Sequence, residues 1–244
     1  MKTLILIPSR LSATRLPGKP LLKINGLSII SHVFKKAKDV NIGDVFVAAE
    51  DKEIVDDVKK NGGQAILTGN FHKTGTDRIY EALKKLGRED VDLIMNLQGD
   101  EPLMNVNDIR NLHKQMIETR SQLGTLATNI NDKNLYEEEN VVKVVTSESL
   151  SKSKFPQAKN FVRKSTGIDK NIYKHLGIYC YRIDTLKNFV SLKQSRNEIK
   201  NKLEQLRALD NNIKINVSYA QESSIGIDTK EDFVALKKIM EYKS

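Results

Sequence analysis

Two clusters of side chains in this sequence could do chemistry on a polyphosphate. The first is the run Ser9-Arg10-Leu11-Ser12-Ala13-Thr14-Arg15-Leu16-Pro17-Gly18-Lys19-Pro20. It carries two guanidinium forks, one ammonium and three hydroxyls around a glycine, a set that can grip several phosphate oxygens at once. It is not a Walker-type loop, because Lys19 is followed by Pro20 rather than Ser or Thr and the G-x-x-x-x-G-K spacing is absent. A solvated basic loop would have the same composition. The second cluster is Gly99-Asp100-Glu101-Pro102, two carboxylates at the end of an apolar run. Neighbouring carboxylates repel unless a cation neutralises them. Mg²⁺ shared between carboxylate and phosphate is the usual answer in nucleotidyl transfer. A plain turn is the alternative; beside the basic loop, Asp100, more than Glu101, reads as a metal ligand.

Position gives these clusters their meaning. Thr3-Leu4-Ile5-Leu6-Ile7 reads as a buried strand that Pro8, lacking an N–H, brings to an end. A helix is expected from Leu27 to Lys38, a strand from Asp44 to Ala49, and a helix from Ile54 that Asn61-Gly62-Gly63 stops. A strand from Gln64 to Thr68 follows, then a helix through Ile79, Leu83 and Leu86 with Thr76 as its N-cap, then a strand from Asp92 to Gln98. This alternation predicts a parallel, doubly wound α/β sheet with right-handed crossovers. Both clusters then sit at carboxyl ends of strands, where such sheets bind ligands.

The rest of the chain reads as a helix from Asn105 to Thr119 and strands over Gly124 to Ile130 and Val141 to Val145. Tyr173 to Arg182 alternates as a strand, with His175, Gly177, Tyr179 and Tyr181 on one face. Leu203-Glu204-Gln205-Leu206-Arg207 reads as an amphipathic helix, Ile213 to Tyr219 as a strand, and Asp228 or Thr229 as the cap of a last helix.

Bulk properties narrow the class. The 244 residues are 39% hydrophobic and 29% charged, ordinary for a globular protein, and no apolar run is long enough to span a bilayer. The apolar start is too short for a signal peptide and is broken by Pro8-Ser9-Arg10. The single cysteine, Cys180, excludes an intramolecular disulfide and a cysteine-based zinc site, and fits a cytoplasmic location. Net charge is +9, yet the lysines are scattered beside acidic residues, with no arginine-rich arm or RNP-like motif. A small anionic substrate, or simply a lysine-rich composition, explains the charge as well as nucleic acid would.

The clusters carry a resemblance. Ile7-Pro8-Ser9-Arg10 followed by Thr14-Arg15-Leu16-Pro17-Gly18-Lys19-Pro20-Leu21 is similar to the signature loop of the 3-deoxy-manno-octulosonate cytidylyltransferases, the CMP-Kdo synthetases. His72, Thr74, Gly75, Thr76, Asp77 and Arg78 match the family's base-facing element, with Thr74 in place of the usual Ser. Val142-Lys143-Val144-Val145, His175-Leu176-Gly177-Ile178-Tyr179 and the Leu203 to Arg207 segment also match. The likeness covers essentially the whole chain and thins between Ser147 and Ile172. There Ala158-Lys159-Asn160-Phe161-Val162-Arg163 is nearest to the family's Ala-x-Tyr-Phe-Ser-Arg, and the Ile-Pro that usually follows is missing. Asn201 stands where the family has a further Glu.

The resemblance implies one cytidylyltransferase domain over residues 1–244, with a mixed, mostly parallel sheet like that of nucleotide-diphospho-sugar transferases and a sugar-binding and dimerisation portion around 147–220. It implies transfer of CMP from CTP to Kdo with release of pyrophosphate, by a homodimer. Arg10, Arg15, Lys19 and Asp100 would be catalytic. Ser9, Arg10, Lys19, His72, Thr74, Gly75, Thr76, Arg78 and Gln98 would hold the nucleotide. Arg15, Gln98, Arg163, His175, Tyr179, Glu204 and Gln205 would hold the sugar, and Asp100 and Asp228 would hold Mg²⁺. Two other readings stand beside it: a cytidylyltransferase for a different ulosonic acid (8-amino-Kdo or a sialic-acid-like sugar), and a non-catalytic nucleotide- or RNA-binding protein.

Overall fold

The computed structural model describes residues 1–12, 15–165, 170–222 and 226–242, and the chain divides into two compact units. In the first unit the chain runs through β1 (Thr3–Ser9), a 3-10 turn (Lys19–Leu21), a hairpin of β2 (Lys23–Ile24) and β3 (Leu27–Ser28), α1 (Ile29–Val40), β4 (Asp44–Ala49), α2 (Lys52–Lys60), β5 (Ala65–Leu67), α3 (Gly75–Lys85) and β6 (Leu93–Asn96). The second unit holds α4 (Val106–Thr119), β7 (Leu123–Thr128), β8 (Lys143–Thr146), β9 (Ala158–Val162), β10 (Ile172–Arg182), α5 (Ile183–Ser191), α6 (Arg196–Asn201), α7 (Leu206–Asp210) and β11 (Ile215–Tyr219). The chain then returns to the first unit as α8 (Lys230–Tyr242).

In the first unit β1 pairs in parallel with β4 on one side and β6 on the other, and β5 adds to β4. Leu4, Ile5, Leu6 and Ile7 are fully buried, as a central parallel strand covered on both faces requires. Burying each such side chain contributes about 1.5–3 kcal/mol. Pro8 does not end β1, which continues to Ser9 opposite Ala49. The Leu6 carbonyl takes the Leu97 N–H and the Ser9 carbonyl takes the Glu50 N–H, so Pro8 faces the β6 side after that strand has ended. No ladder bond is lost there.

In the second unit β11 runs parallel to β7, whereas β7–β10, β10–β8 and β8–β9 are antiparallel, with an irregularity between Leu176 and Tyr179. The mixed, mostly parallel α/β architecture is the expected one, and the expected sugar portion, 147–220, falls inside this unit. Leu203 to Arg207 is not one helix: Lys202 takes a left-handed conformation (φ 52°) that ends α6, Leu203 to Gln205 form a turn, and α7 begins only at Leu206. Among the described residues no helix is long and apolar enough to cross a membrane.

Candidate active site

Lys19 enters the site from a turn built for it. Gly18 adopts φ 70°, a left-handed position that glycine fills without strain, and Pro20 supplies the fixed φ of the short helix that follows. The Gly18 N–H donates to the Leu11 carbonyl at 3.1 Å, and the Leu11 N–H donates to Asp51 Oδ2 at 2.8 Å, so both ends of the basic loop are anchored. Residues 13 and 14, the middle of that loop, lie outside the described residues.

Asp100 arrives from the other direction. Beyond β6 the chain crosses the end of β1 at Gly99, where a Cβ would sit 2.8 Å from the Pro8 carbonyl oxygen. Glycine is therefore what lets Asp100 reach the basic loop. The Asp100 carbonyl accepts the Ile227 N–H at 3.1 Å, which ties the strand end to the segment before α8. Ile227 is itself packed in a small core with Ile24, Ile29 and Leu236, against which Leu16 and Phe233 also lie. Apolar packing thus fixes the backbone on either side of Lys19 and Asp228.

Four charged side chains meet there. Lys19 Nζ donates to Asp100 Oδ2 at 2.5 Å and to the Ile227 carbonyl at 2.6 Å, and lies 3.3 Å from Asp228 Oδ1. Arg15 Nη2 lies 3.0 Å from Asp228 Oδ2. Asp228 is not the helix cap: Thr229 Oγ1 accepts from the Asp232 N–H, while the Asp232 carboxylate accepts the N–H groups of Asp228 and Thr229. This reciprocal capping leaves the Asp228 side chain to face Lys19 and Arg15. Burial works against the Asp232 charge, but those hydrogen bonds outweigh it and hold its carboxyl below the usual value.

These groups line a cavity of about 320 Å³, at the lower end of the range for small-ligand sites. Of the residues expected from sequence, Ser9, Arg10, Arg15, Lys19, His72, Thr74, Gly75, Arg78, Gln98, Asp100 and Asp228 line it. Thr76 does not: it is buried within α3, and the N-cap is Thr74, whose Oγ1 accepts the Asp77 N–H. The reason is that α3 starts at Gly75, two residues earlier than a Thr76 cap would set it. Ser9 Oγ is buried and finds no hydrogen-bond partner among the described residues, a vacancy in bonding that a ligand group can meet. Arg78 is nearly inaccessible, ion-paired with Glu50 and donating to Thr68 Oγ1 at 2.7 Å and the Gly69 carbonyl at 2.9 Å. It therefore braces the wall of the cavity. Lys73 also lines the cavity and was not singled out from sequence, although it lies inside the base-facing element.

Of the expected sugar residues, Arg15 and Gln98 lie in the first unit, whereas Arg163, His175, Tyr179, Glu204 and Gln205 belong to the second. His175 Nε2 bonds Thr125 Oγ1 at 2.9 Å, and that hydroxyl is also within 2.8 Å of the Ile178 carbonyl. Burial pulls the His175 imidazole down to about 3, so it is neutral at physiological pH. Its ring stands edge-on to Phe161 and 5.5 Å from Tyr179. Burial first, then the charges of Tyr181 and Glu204, push the Tyr179 phenol well above its ordinary value. Tyr179 therefore stays protonated as a donor. Gln205 is buried just before α7. The segment that carries Glu204 and Gln205 is fixed by a buried ion pair, Arg207 donating to Glu198 at 2.9 and 2.6 Å, with Glu198 also completing a capping box with Ser195.

Arg163 departs from expectation. Its Nε donates to the Asn201 carbonyl at 2.7 Å, its Nη2 to the Lys202 carbonyl at 2.9 Å, and its Nη1 to the Glu139 carbonyl at 2.9 Å. The Nε/Nη2 face, which would meet a carboxylate in bidentate fashion, is occupied by the last carbonyls of α6. Arg163 is a clasp on the C-terminus of that helix rather than the partner of a sugar carboxylate.

A basic loop and converging carboxylates at strand ends of an α/β sheet define a nucleotidyltransferase, and comparison with known proteins narrows it. The pattern of the cytidylyltransferase family matches residues 4–215. The 3-deoxy-manno-octulosonate cytidylyltransferase of Thermodesulfovibrio yellowstonii is 42% identical over 254 residues, covering 98% of each chain. That of Afipia carboxidovorans is 40% identical, covering 98% of this chain and 96% of its own. Among solved structures, CMP:2-keto-3-deoxy-manno-octonic acid synthetase complexed with CTP superposes with a TM-score of 0.90 at 34% identity, over all of both chains. The chain belongs to the cytidylyltransferase family, in its 3-deoxy-manno-octulosonate branch.

Proposed function

We propose that the protein transfers CMP from CTP to 3-deoxy-D-manno-octulosonate, giving CMP-Kdo for lipopolysaccharide synthesis and releasing pyrophosphate. The observation that carries this reading is the convergence of Asp100, Asp228 and the Ile227 carbonyl on the Lys19 ammonium, in a cavity also walled by Arg10 and Arg15.

The anomeric hydroxyl of the sugar loses its proton as its oxygen bonds the α-phosphorus, and the bond from that phosphorus to the pyrophosphate oxygen breaks. A carboxylate-bearing sugar must approach a polyanion, so charge repulsion is the first obstacle. Arg10, Arg15 and Lys19 spread the phosphate charge and stabilise what develops on the leaving group. Ser9 Oγ, which has no hydrogen-bond partner among the described residues, would donate to a nucleotide oxygen, and Thr74, engaged with Asp77, would hold the start of α3 in the cavity wall. For the sugar, the resemblance assigns His175, Tyr179, Glu204 and Gln205, neutral or acidic hydrogen-bonding groups suited to hydroxyls, so orientation would supply much of the rate.

The donor set around Lys19 also fits Mg²⁺. Two carboxylates and one carbonyl, all hard oxygens, already converge on a cation there. Asp100 and Asp228 would hold the ion, which when bound supplies a Lewis acid at the phosphate oxygens.

The test is pyrophosphate release from CTP against a panel of ulosonic acids. Release that requires Kdo and is weaker with 8-amino-Kdo or sialic-acid-like sugars supports the reading. Release favouring another ulosonic acid moves the substrate within the class, and none with any sugar acid contradicts it.

A further inference from the structure

Glu81 lies on α3 and does not line the cavity, yet it organises the wall that does. Its Oε2 accepts the Gly69 N–H at 2.9 Å and bonds His72 Nε2, and its Oε1 pairs with Lys85 Nζ at 2.7 Å. The Gly69 peptide is held from its other side by Arg78, also on α3, which donates to the carbonyl. The loop between β5 and α3 is thus clamped at Gly69 and again at His72, both times by Glu81. His72 has a side chain only 9% exposed, lines the cavity, and stacks obliquely on Phe71 with ring centroids 4.4 Å apart.

The chemistry of the pair limits what His72 can offer a ligand. Burial works against the Glu81 charge, but hydrogen bonds from Lys85, His72 and Gly69 outweigh it and bring its carboxyl down to about 2. A carboxylate accepts and cannot donate, so Nε2 must carry its proton. In the neutral ring the remaining nitrogen, Nδ1, is then an acceptor. Cytosine and uracil differ at position 4, where cytosine has an amino donor and uracil a carbonyl acceptor. An acceptor held against that position bonds the first and repels the second.

We propose that Glu81 is a positioning residue for base selectivity: it locks His72 in the Nε2–H tautomer, leaving Nδ1 to accept from the amino group of cytosine. The inference rests on the reading of the His72 to Arg78 element as base-facing. A site built to hydrogen-bond one group rejects the analogue lacking it far more strongly than an apolar pocket would. Selectivity for CTP over UTP is therefore the property Glu81 controls, through His72.

The experiment compares kcat/KM for CTP and for UTP in the wild type and in Glu81→Leu, Glu81→Gln and His72→Ala. Glu81→Leu and His72→Ala are each expected to lower the CTP/UTP ratio by about tenfold or more. Glu81→Gln, whose amide oxygen can still accept from Nε2, is expected to restore most of it. If His72→Ala moves the ratio while Glu81→Leu lowers both nucleotides in parallel, Glu81 is only structural and the proposal is overturned. If His72→Ala leaves the ratio unchanged, the base-facing reading itself falls and takes the proposal with it. A second measurement needs no variant: ¹⁵N shifts of the His72 ring in the wild type should show a protonated Nε2 and an unprotonated Nδ1. An imidazolium or an Nδ1–H tautomer at neutral pH would overturn it.

Discussion

Lys19 Nζ and Asp100 Oδ2 lie 2.5 Å apart, and the same ammonium is 3.3 Å from Asp228 Oδ1. This one ammonium compensates Asp100 and shares Asp228 with Arg15. Removing it by Lys19→Ala is expected to have two effects. Loss of a charged contact to phosphate should lower kcat/KM for CTP on the order of tenfold to a hundredfold. With Asp100 deprived of its ammonium and Asp228 held by Arg15 alone, the nucleotide-free variant should also gain more in melting temperature from Mg²⁺ than the wild type gains. An unchanged kcat/KM would mean the loop is merely solvated.

Asp100→Asn keeps the backbone carbonyl that accepts from Ile227, so the fold should persist while the carboxylate is lost. Metal-dependent turnover should then fall away with circular dichroism unchanged. Activity near that of the wild type in saturating Mg²⁺ would remove Asp100 from the metal site.

Arg163→Ala tests the clasp on α6. Three hydrogen bonds to backbone carbonyls disappear, for a loss of about 2 kcal/mol of stability. Because Leu203-Glu204-Gln205 follows the clasped turn directly, KM for the sugar should rise far more than KM for CTP. Lysine should not rescue, since one ammonium cannot meet three carbonyls set in the plane of a guanidinium. Equal changes in both KM values would separate Arg163 from the sugar segment.

Acid should destabilise the protein through His175 and Glu81 in turn. The folded His175 pKa of about 3 lies below the ordinary 6.5, so between those values the unfolded chain binds the proton and the folded one does not. Stability therefore rises with pH across that window, by up to about 1.4 kcal/mol per pH unit for one proton. Glu81, brought from 4.5 to about 2, contributes stability that is present above 4.5 and lost as pH falls toward 2. In His175→Gln the slope of unfolding free energy between pH 6.5 and 4.5 should flatten, which urea titrations at several pH values would read. An unchanged slope would mean that His175 titrates normally in the folded protein.

Much of this was legible in the sequence, for identifiable reasons. β1 and β6 are buried along nearly their whole length, so their runs are mostly apolar, and the basic loop and Asp100 follow their carboxyl ends as α/β logic requires. What was not legible depends on partners distant in sequence. Pro8 fits inside β1 only because β6 stops short of it. Arg163 meets carbonyls nearly forty residues on, and nothing in its own neighbourhood announces them. The break at Lys202 puts a lysine in a left-handed conformation, where glycine or asparagine would have given a signal. Glu81 looks like any acidic residue on a helix face until Gly69 and His72 fold back onto it.

The most direct measurement of the central claim is ³¹P NMR of CTP incubated with the protein, Mg²⁺ and Kdo. The account predicts that the three triphosphate resonances give way to one phosphodiester resonance and pyrophosphate in equal amounts, and only when Kdo is present. Triphosphate resonances that persist with Kdo, or CMP and pyrophosphate formed without it, would contradict it.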